Sequence, residues 1–302
     1  MKCSRCGKQA VVALPSHHSG FCAACFDLFF QKQVQKAIKN YAMLREDDRI
    51  LVALSGGKDS MALVHQLVRL GLKPHALHID LDIEHSSFEA CKRAKKFCTE
   101  NNVPLKIVHT QEHGLNIPLL KKHVNRPVCS FCGKIKRYLF NKYALDNDYT
   151  VLATGHNLDD ETARLMANTL RWDTGYLRDV GPVLSAKKGF VRKIKPLYRL
   201  TEFELANYCY LNGIAYNMRG CPYSFDASFN IYKNLLNQLE KAQPGRKRSF
   251  YEAFQKKGRQ YFTRGQKDSG PSLTPCLKCG YPTTEQVCGV CRLKEELKNK
   301  TD

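Results

Sequence analysis

The sequence predicts an α/β protein in which a parallel-sheet domain is flanked by two zinc fingers. Short apolar segments alternate with segments of helical periodicity between residues 49 and 170, as in parallel sheets covered by helices on both faces. A glycine-rich turn, SGGKDS at 55–60, follows the first of these apolar segments and precedes a helical one. Two sets of four cysteines stand near the two ends of the chain. These three observations define the fold class.

Each predicted element follows from the apolar pattern. Residues 26–45 have apolar side chains at helical spacing and predict a helix that links the first finger to the sheet. Continuous short apolar runs predict strands near 49–54, 75–82, 104–109 and 149–153. Helical periodicity predicts helices near 60–70, 87–101, 131–146 and 158–170. A parallel sheet of this kind binds its ligand at the carboxyl ends of the strands.

The chain is expected to form three domains. Residues 1–40 form the N-terminal finger and linker helix, and residues 271–302 form the C-terminal finger. Residues 41–270 form the sheet domain, which ends in a basic helical segment. In that segment, 241–267, lysines and arginines alternate with aromatic residues, and we expect the aromatics to face mostly the core and the basic groups mostly an RNA.

The composition favours a polyanionic partner. The 302 residues include 48 Lys plus Arg and 28 Asp plus Glu, a net charge of +20, which excludes an ordinary acidic enzyme surface. The sequence has neither an apolar run of 18 residues nor the apolar core of a signal peptide at its start, so we expect a cytoplasmic protein without a membrane span. In that compartment, 14 cysteines indicate metal ligands or reactive thiols rather than disulfides.

The terminal cysteines have the spacing of structural zinc sites. Each set consists of two C-x-x-C pairs, and a pair of this spacing presents both sulfurs to one tetrahedral ion. The predicted zinc ligands are Cys3, Cys6, Cys22 and Cys25 in the first finger and Cys276, Cys279, Cys288 and Cys291 in the second.

Three central cysteines form a different set. Cys129 and Cys132 are a C-x-x-C pair, and Cys221 lies far along the chain. Three thiolates do not complete a tetrahedral zinc site, but they can hold three irons of a 4Fe–4S cluster and leave the fourth iron open. They can instead act as a nucleophile and a resolving pair that carry a persulfide, or bind zinc with Cys209 or His156 as fourth ligand.

The glycine-rich turn has the properties of an anion site. It is not a Walker A loop, but Gly56 and Gly57 allow close backbone approach, and successive N–H groups at a helix start bind phosphate. Ser55 and Ser60 add hydroxyl groups, whereas Asp59 is better suited to hold Mg²⁺ or to brace the loop.

These motifs together resemble a known family. SGGKDS is similar to the PP-loop of the ATP pyrophosphatases, and GHNLDDET at 155–162 resembles the second signature of their tRNA-modifying branch. With the central cysteines and the two fingers, the whole chain resembles the tRNA 2-thiouridine synthetases of the TtuA type, in the wider TtcA family. The resemblance implies a PP-loop domain, a Rossmann-like sheet of the adenine nucleotide alpha hydrolase kind.

The resemblance also implies the site residues. Lys136 shares one helical face with Cys129 and Cys132, and Asp160 is a catalytic acid/base or metal-positioning group unless it only caps its helix. The implied catalytic residues are Asp59, Lys136, Asp160, Cys129, Cys132 and Cys221. The implied ATP-binding residues are Ala53, Leu54, Ser55, Gly56, Gly57, Lys58, Asp59, Ser60, Ile79, Lys136, Gly155 and Asp160.

The implied function is ATP-dependent tRNA 2-thiolation with ATP, Mg²⁺, a 4Fe–4S cluster on Cys129, Cys132 and Cys221, and two structural zinc ions. A uridine C2 carbonyl is adenylated, and sulfur then displaces AMP. The expected target is 5-methyluridine 54 of the T loop, with wobble uridine 34 or cytidine 32 as alternatives. Family members receive sulfur from a thiocarboxylated ubiquitin-like carrier of the TtuB type and are commonly homodimers.

Two other function classes remain. A lysidine-synthetase-like enzyme would use an amine in place of sulfur, but it has no need of the three central cysteines. A non-catalytic RNA-binding protein with two zinc ribbons fits the net charge, but it leaves the intact phosphate loop and Asp160 without a role.

Overall fold

The structure, a computed structural model, describes residues 1–187, 189–216, 220–223, 229–263 and 273–300. In these ranges the strands are Val12–Leu14 (β1), Ser19–Phe21 (β2), Ile50–Ala53 (β3), His75–Asp80 (β4), Leu105–His109 (β5), Val151–Thr154 (β6), Val183–Leu184 (β7), Arg192–Ile194 (β8), Thr274–Pro275 (β9) and Pro282–Thr283 (β10). The helices are Ala23–Asn40 (α1), Lys58–Arg69 (α2), Glu84–Glu100 (α3), Ile117–His123 (α4), Val128–Asp146 (α5), Leu158–Leu170 (α6), Thr174–Asp179 (α7), Glu202–Leu211 (α8), Phe229–Ala242 (α9), Arg246–Ala253 (α10), Gln260–Thr263 (α11) and Gly289–Lys298 (α12).

The central sheet has six strands in the order β5-β4-β3-β6-β8-β7. Strands β3 to β6 are parallel, as the sequence predicts. Strand β8, which the sequence does not predict, pairs in parallel with β6, and β7 pairs with β8 in the antiparallel direction. The connection from β7 to β8 is too short for a crossover, so it can only join antiparallel neighbours. The chain winds from β3 outward to β5 and then returns to place β6 on the other side of β3. The carboxyl ends of β3 and β6 therefore form the switch point at which such sheets bind ligands.

Apolar side chains cover both faces of this sheet. One face packs against α1, α2, α3, α6, α8 and α10, and the other packs against α4, α5 and α12. The alternation in β3 shows this division, since Leu51 belongs to one cluster and Val52 to the other. Both residues are fully buried, which explains why the strand reads as a continuous apolar run.

Both fingers contribute to these cores. The N-terminal finger is the β1–β2 hairpin followed by α1, whose Phe30 is fully buried and stacks on Tyr208 of α8 with ring centroids 3.9 Å apart. The C-terminal finger is the β9–β10 hairpin followed by α12. Its Tyr281 contacts Tyr138 of α5 at a ring distance of 4.7 Å. The fingers are thus packed against the sheet domain, although the proposed domain boundaries stay a prediction.

The basic C-terminal segment is attached to the sheet domain more firmly than its composition suggests. Tyr251 is buried, as expected for a core aromatic, and its hydroxyl donates to Glu161 at 3.0 Å. Lys247, however, is also buried and pairs with Asp159 of α6, so this lysine does not face an RNA. Phe250 and Tyr261 are the aromatics that remain exposed in the described part of the segment. Residues 264–267 lie outside the described residues.

No helix in the described ranges combines the length and the apolar character that crossing a membrane requires.

Candidate functional site

The phosphate loop lies between the end of β3 and the start of α2. Ala53 and Leu54 lead into it, and Leu54 donates a backbone hydrogen bond to Leu77 of β4 at 2.9 Å. The Ser60 hydroxyl accepts from the backbone N–H of Ser55 at 3.1 Å and donates to the Gly57 carbonyl at 3.0 Å. These bonds close the turn from inside, so the two serines brace the loop as well as providing hydroxyl groups.

Helix α2 begins without a capping side chain. Its N-cap residue is Gly57, which offers no side-chain acceptor to the first N–H groups of the helix. Those N–H groups have no intrahelical partner, and together with the helix dipole they favour an anion. The loop can therefore bind phosphate through its backbone, as the sequence predicts.

Two glycines allow close contacts around this loop. Gly56 has a φ of +79°, and a Cβ added there would lie 3.0 Å from the Ala90 carbonyl oxygen of α3. Gly155 follows β6, and its added Cβ would lie 2.8 Å from the backbone nitrogen of Ser60. The second signature therefore touches the phosphate loop directly. Ile79, another of the predicted ATP-binding residues, is buried near the end of β4.

Three carboxylates and two lysines surround the mouth of the loop. Asp59 pairs with Lys58 at 3.3 Å, and burial followed by the charges of Asp160 and Glu202 raises the pKa of Asp59 to about 6 although Lys58 opposes this. Lys233 of α9 contacts Asp160 at 2.5 Å and Glu202 at 2.6 Å. The site thus combines a backbone phosphate cradle with carboxylates that suit proton transfer or Mg²⁺ binding.

Asp160 has both a capping role and a place at this mouth. The backbone N–H of Asp160 donates to the Asn157 side chain, and the Asp160 carboxylate accepts from the Asn157 backbone N–H, both at 3.1 Å. This is a capping box, the arrangement expected if Asp160 only caps its helix. The ion pair with Lys233 uses the other carboxylate oxygen. Capping and a catalytic role are therefore compatible, and the catalytic role stays a prediction.

Behind the signature lies a buried ion pair. Lys195 contacts both carboxylate oxygens of Glu161, at 2.7 and 2.8 Å. His156 is bonded to the Thr154 hydroxyl at 2.8 Å, and burial together with the charge of Lys195 lowers its pKa to about 3. His156 is therefore neutral at physiological pH and fixes the signature in place.

The central cysteines lie at the same edge of the sheet as the phosphate loop. Helix α5 connects β5 to β6, so its first turn is at the carboxyl ends of the strands. Cys129 and Cys132 are in that turn, and the Cys129 thiol donates to the Tyr223 carbonyl at 3.5 Å. Cys221 is exposed in the same short described segment, 220–223. Burial, with the charges of Cys221 and Cys129 as smaller causes, raises the pKa of the Cys132 thiol.

Lys136 is one turn beyond Cys132 on the same helix. Burial raises the pKa of the Cys132 thiol, and the charge of Lys136 counters this effect. A cation at this position stabilises thiolate, which is the form that binds metal.

The spacing of the central trio differs from that of the terminal tetrads. In the described residues, each tetrad brings four sulfurs within 4.8 Å of one another, whereas the trio forms no such group, with or without Cys209 or His156. Cys209 instead contacts the Lys58 carbonyl. The trio therefore does not form a closed zinc site, in which four thiolates share one ion, whereas thiolates on three different irons of a cluster stand farther apart.

The two terminal tetrads have the chemistry of closed zinc sites. The Cys22 backbone N–H lowers the pKa of Cys3 to about 6, and the Cys288 backbone N–H, against the effect of burial, lowers the pKa of Cys276 to about 6. These bonds stabilise one thiolate in each tetrad, whereas burial raises the pKa of Cys25 to about 12. Four cysteine sulfurs within 4.8 Å of one another suit a structural Zn²⁺. The tetrads thus fit the predicted zinc sites.

Replacement of Cys288 by serine is expected to lower the zinc content from two ions to one per chain. Tm should fall by about 10 °C or more, because a structural zinc contributes several kcal/mol to folding. Elemental analysis and circular dichroism measure both effects. Cys91→Ser, which changes a buried cysteine outside the tetrads, should keep both ions. Full zinc content in Cys288→Ser would show that this tetrad is not the site.

A third group of possible metal ligands has a structural role in a turn. Asp80, Asp82 and His109 have ligand atoms within 4.8 Å of one another. One oxygen of Asp82 accepts from the Thr110 hydroxyl at 2.7 Å and the Gln111 N–H at 3.1 Å. These bonds fix the turn after β5, so the group needs no ion.

Sequence reasoning missed Lys233 and Glu202. Neither lies in a motif, and each is far in sequence from Asp160. The packing of α9 against α6 brings Lys233 to the mouth of the loop, and a hydrogen bond from the Glu202 N–H to Asp159 at 2.8 Å places the start of α8 there.

Comparison with known proteins agrees with this geometry. Residues 27–219 match the PP-loop domain, and residues 2–27 match the N-terminal LIM domain of 2-thiouridine synthetase TtuA. The chain is 39% identical over 307 residues to tRNA-5-methyluridine(54) 2-sulfurtransferase of Thermotoga maritima, covering 100% of this chain and 99% of the relative. It is also 39% identical to the Thermus thermophilus protein of the same name, covering 97% and 91%.

A solved structure is similar over nearly the whole chain. It is the U34-tRNA thiolase NcsA from Methanococcus maripaludis with its [4Fe-4S] cluster, with a TM-score of 0.84, 28% identity and coverage of 98% of this chain and 96% of that one. The phosphate loop, the second signature, the finger match and these full-length similarities lead to one conclusion. The chain belongs to the PP-loop family and, within it, to the tRNA 2-thiouridine synthetases of the TtuA type.

Proposed function

We propose that this chain is an ATP-dependent tRNA sulfurtransferase that converts 5-methyluridine 54 to its 2-thio derivative. The observation that carries the proposal is that the phosphate loop and the central cysteines lie at the same edge of the sheet, at the carboxyl ends of the strands. Support also comes from the full-length relatives, whose name specifies this reaction. Activation and sulfur delivery would then meet at one nucleotide.

The proposed reaction proceeds in two steps. The O2 atom of the uridine attacks the α-phosphorus of ATP, and pyrophosphate leaves into the backbone cradle that starts at Gly57. Sulfur then forms a bond to C2, and the C2–O2 bond breaks with AMP as leaving group. Adenylation is needed because a urea-like carbonyl oxygen is a poor leaving group.

The chain's own residues have distinct tasks in this scheme. The N–H groups at the start of α2 stabilise the growing charge on pyrophosphate, and Asp59 braces the loop or holds Mg²⁺. Asp160 orients the nucleotide or moves a proton at the activated carbonyl. Lys136 lies next to the cysteines and can offset negative charge there. Cys129, Cys132 and Cys221 would hold the 4Fe–4S cluster, which when bound supplies the site of sulfur delivery.

The sulfur donor, the homodimer and the cytoplasmic location are further proposals from the family resemblance. The exposed Cys129 and Cys221 leave room for the thiocarboxylate tail of a small carrier protein. Light scattering on the purified chain measures the oligomeric state directly.

The proposal predicts formation of a 2-thiouridine, namely 5-methyl-2-thiouridine at position 54, by the anaerobically reconstituted protein. With tRNA, Mg·ATP and sulfide, mass analysis of nucleosides should show one sulfur-for-oxygen exchange, with one AMP and one pyrophosphate released. A tRNA with cytidine in place of uridine 54 should remain unmodified. Thiolation at position 34 instead would make the chain functionally closer to the archaeal U34 thiolase. An added amine, or RNA binding without pyrophosphate release, would contradict the proposal.

A further inference from the structure

The two adjacent aspartates of the second signature are each held by a lysine, one from α9 and one from α10. Asp159 pairs with Lys247 of α10, and both side chains are about 96% buried or more. Asp160 pairs with Lys233 of α9, and both side chains retain 22–24% exposure. The first pair is enclosed between helices and has the character of a structural brace. The second pair faces the mouth of the phosphate loop, where a substrate can reach it.

Lys233 completes the orientation of the Asp160 side chain. One oxygen of that carboxylate accepts from the Asn157 backbone N–H at 3.1 Å. The other is 2.5 Å from the Lys233 ammonium group. Without Lys233 the second oxygen would lose this partner, and the carboxylate could rotate away from the site. Both oxygens are therefore needed to fix one rotamer.

The charges at the mouth require this cation. Asp59, Asp160 and Glu202 act on one another, and the ATP phosphates bring further negative charge to the same place. Lys58 pairs with Asp59, and Lys195 is engaged with Glu161 behind the signature. Lys233 is the lysine that contacts Asp160 and Glu202 together. At 2.5–2.6 Å its charge offsets much of the repulsion between these two carboxylates.

We propose that Lys233 is a positioning residue for the thiolation reaction, with its ammonium group holding the Asp160 carboxylate in the orientation required at the mouth of the phosphate loop. Lys233 acts through Asp160 and not by touching the nucleotide. This inference rests on the proposed function. It also gives helix α9 an indirect part in catalysis, through Asp160, beyond the RNA contacts that its basic neighbours suggest.

The test compares Lys233→Met, Lys233→Arg and Lys96→Met with the wild-type protein. Methionine keeps the length and apolar part of the side chain but removes the charge, and arginine restores the charge. Lys96 is an exposed lysine of α3 with a surface ion pair to Glu100, so its replacement is the matched control. The measurements are kcat for 2-thiouridine formation at saturating ATP, KM for tRNA, and Tm.

Lys233→Met should lower kcat about 10–100-fold, because small errors in the placement of a reacting group have effects of this size. KM for tRNA should change by less than about threefold, and Lys233→Arg should recover kcat to within about fivefold. A rise in KM alone would assign Lys233 to RNA binding, and an equal loss in Lys233→Arg would show that its charge is not required. A fall in Tm with kcat unchanged would indicate a structural role. Each of these results would overturn the inference, whereas an inactive wild-type protein would overturn the proposed function itself.

Discussion

Replacement of Cys129 by alanine is expected to abolish thiolation, with a fall in kcat/KM of at least about 10³-fold. Cys129 is exposed in the first turn of α5, so its loss removes a ligand without opening a cavity in the core. The visible absorption of the anaerobically reconstituted cluster should be lost together with the activity. Quantification of 2-thiouridine by mass analysis and an absorption spectrum measure the two effects on one preparation.

The controls separate this effect from damage to the fold. Cys98→Ala changes a buried cysteine of α3 that is outside every cysteine group described here, and it should keep both the colour and the activity. ATP binding by Cys129→Ala should be unchanged, because the phosphate loop is formed by other elements. Full thiolation by Cys129→Ala would exclude a cluster on these residues. If Cys129→Ala loses activity but its absorption spectrum equals that of the wild-type protein, the result would favour the persulfide alternative.

Replacement of Gly155 by alanine is expected to lower the affinity for ATP about 100-fold. The added Cβ would lie 2.8 Å from the backbone nitrogen of Ser60 and 2.9 Å from the carbonyl carbon of Asp59. Both are backbone atoms of the phosphate loop, so the loop itself must move. Displacement of a binding group by a fraction of an ångström to 1 Å has effects of this order. Isothermal titration with ATP and Mg²⁺ measures the change directly.

The matched control for this variant is Gly175→Ala. An added Cβ at Gly175 in α7 would have its nearest neighbour at 3.7 Å, which is an ordinary contact. Its ATP affinity should therefore equal that of the wild-type protein, and its stability should be unchanged or slightly higher. If Gly155→Ala binds ATP normally, β6 and the phosphate loop do not pack as closely as the structure has them.

Local signals predicted most of the sheet domain. The apolar run at 49–54 corresponds to β3, and the helix expected near 158–170 is α6. These elements were predictable because burial and periodicity act within a few residues. The antiparallel β7 was not predictable, since a strand of two residues has no periodicity. The sequence motifs also placed Gly155 and Asp160 at the same sheet edge as the phosphate loop.

Long-range ion pairs account for what the sequence could not predict. Lys247 reads as one more member of a basic run, yet it is buried against Asp159, 88 positions earlier in the chain. Lys233 and Glu202 likewise acquire their roles only when α8 and α9 pack near α6. A single basic residue has the same local signal whether it meets a carboxylate of its own chain or a phosphate of an RNA.

The packing of the C-terminal finger has a consequence for biosynthesis. Val290, Cys291 and Leu293 share a buried apolar cluster with Phe131, Ile135 and Tyr138 of α5. These residues are synthesised after α5, so the face of α5 that they cover stays open to solvent until they have left the ribosome. The helix that bears Cys129 and Cys132 therefore reaches its final environment only after the C-terminal finger has been synthesised. A metal group on these two cysteines should consequently be completed later than a zinc site at the N-terminal finger, whose four cysteines lie within residues 3–25.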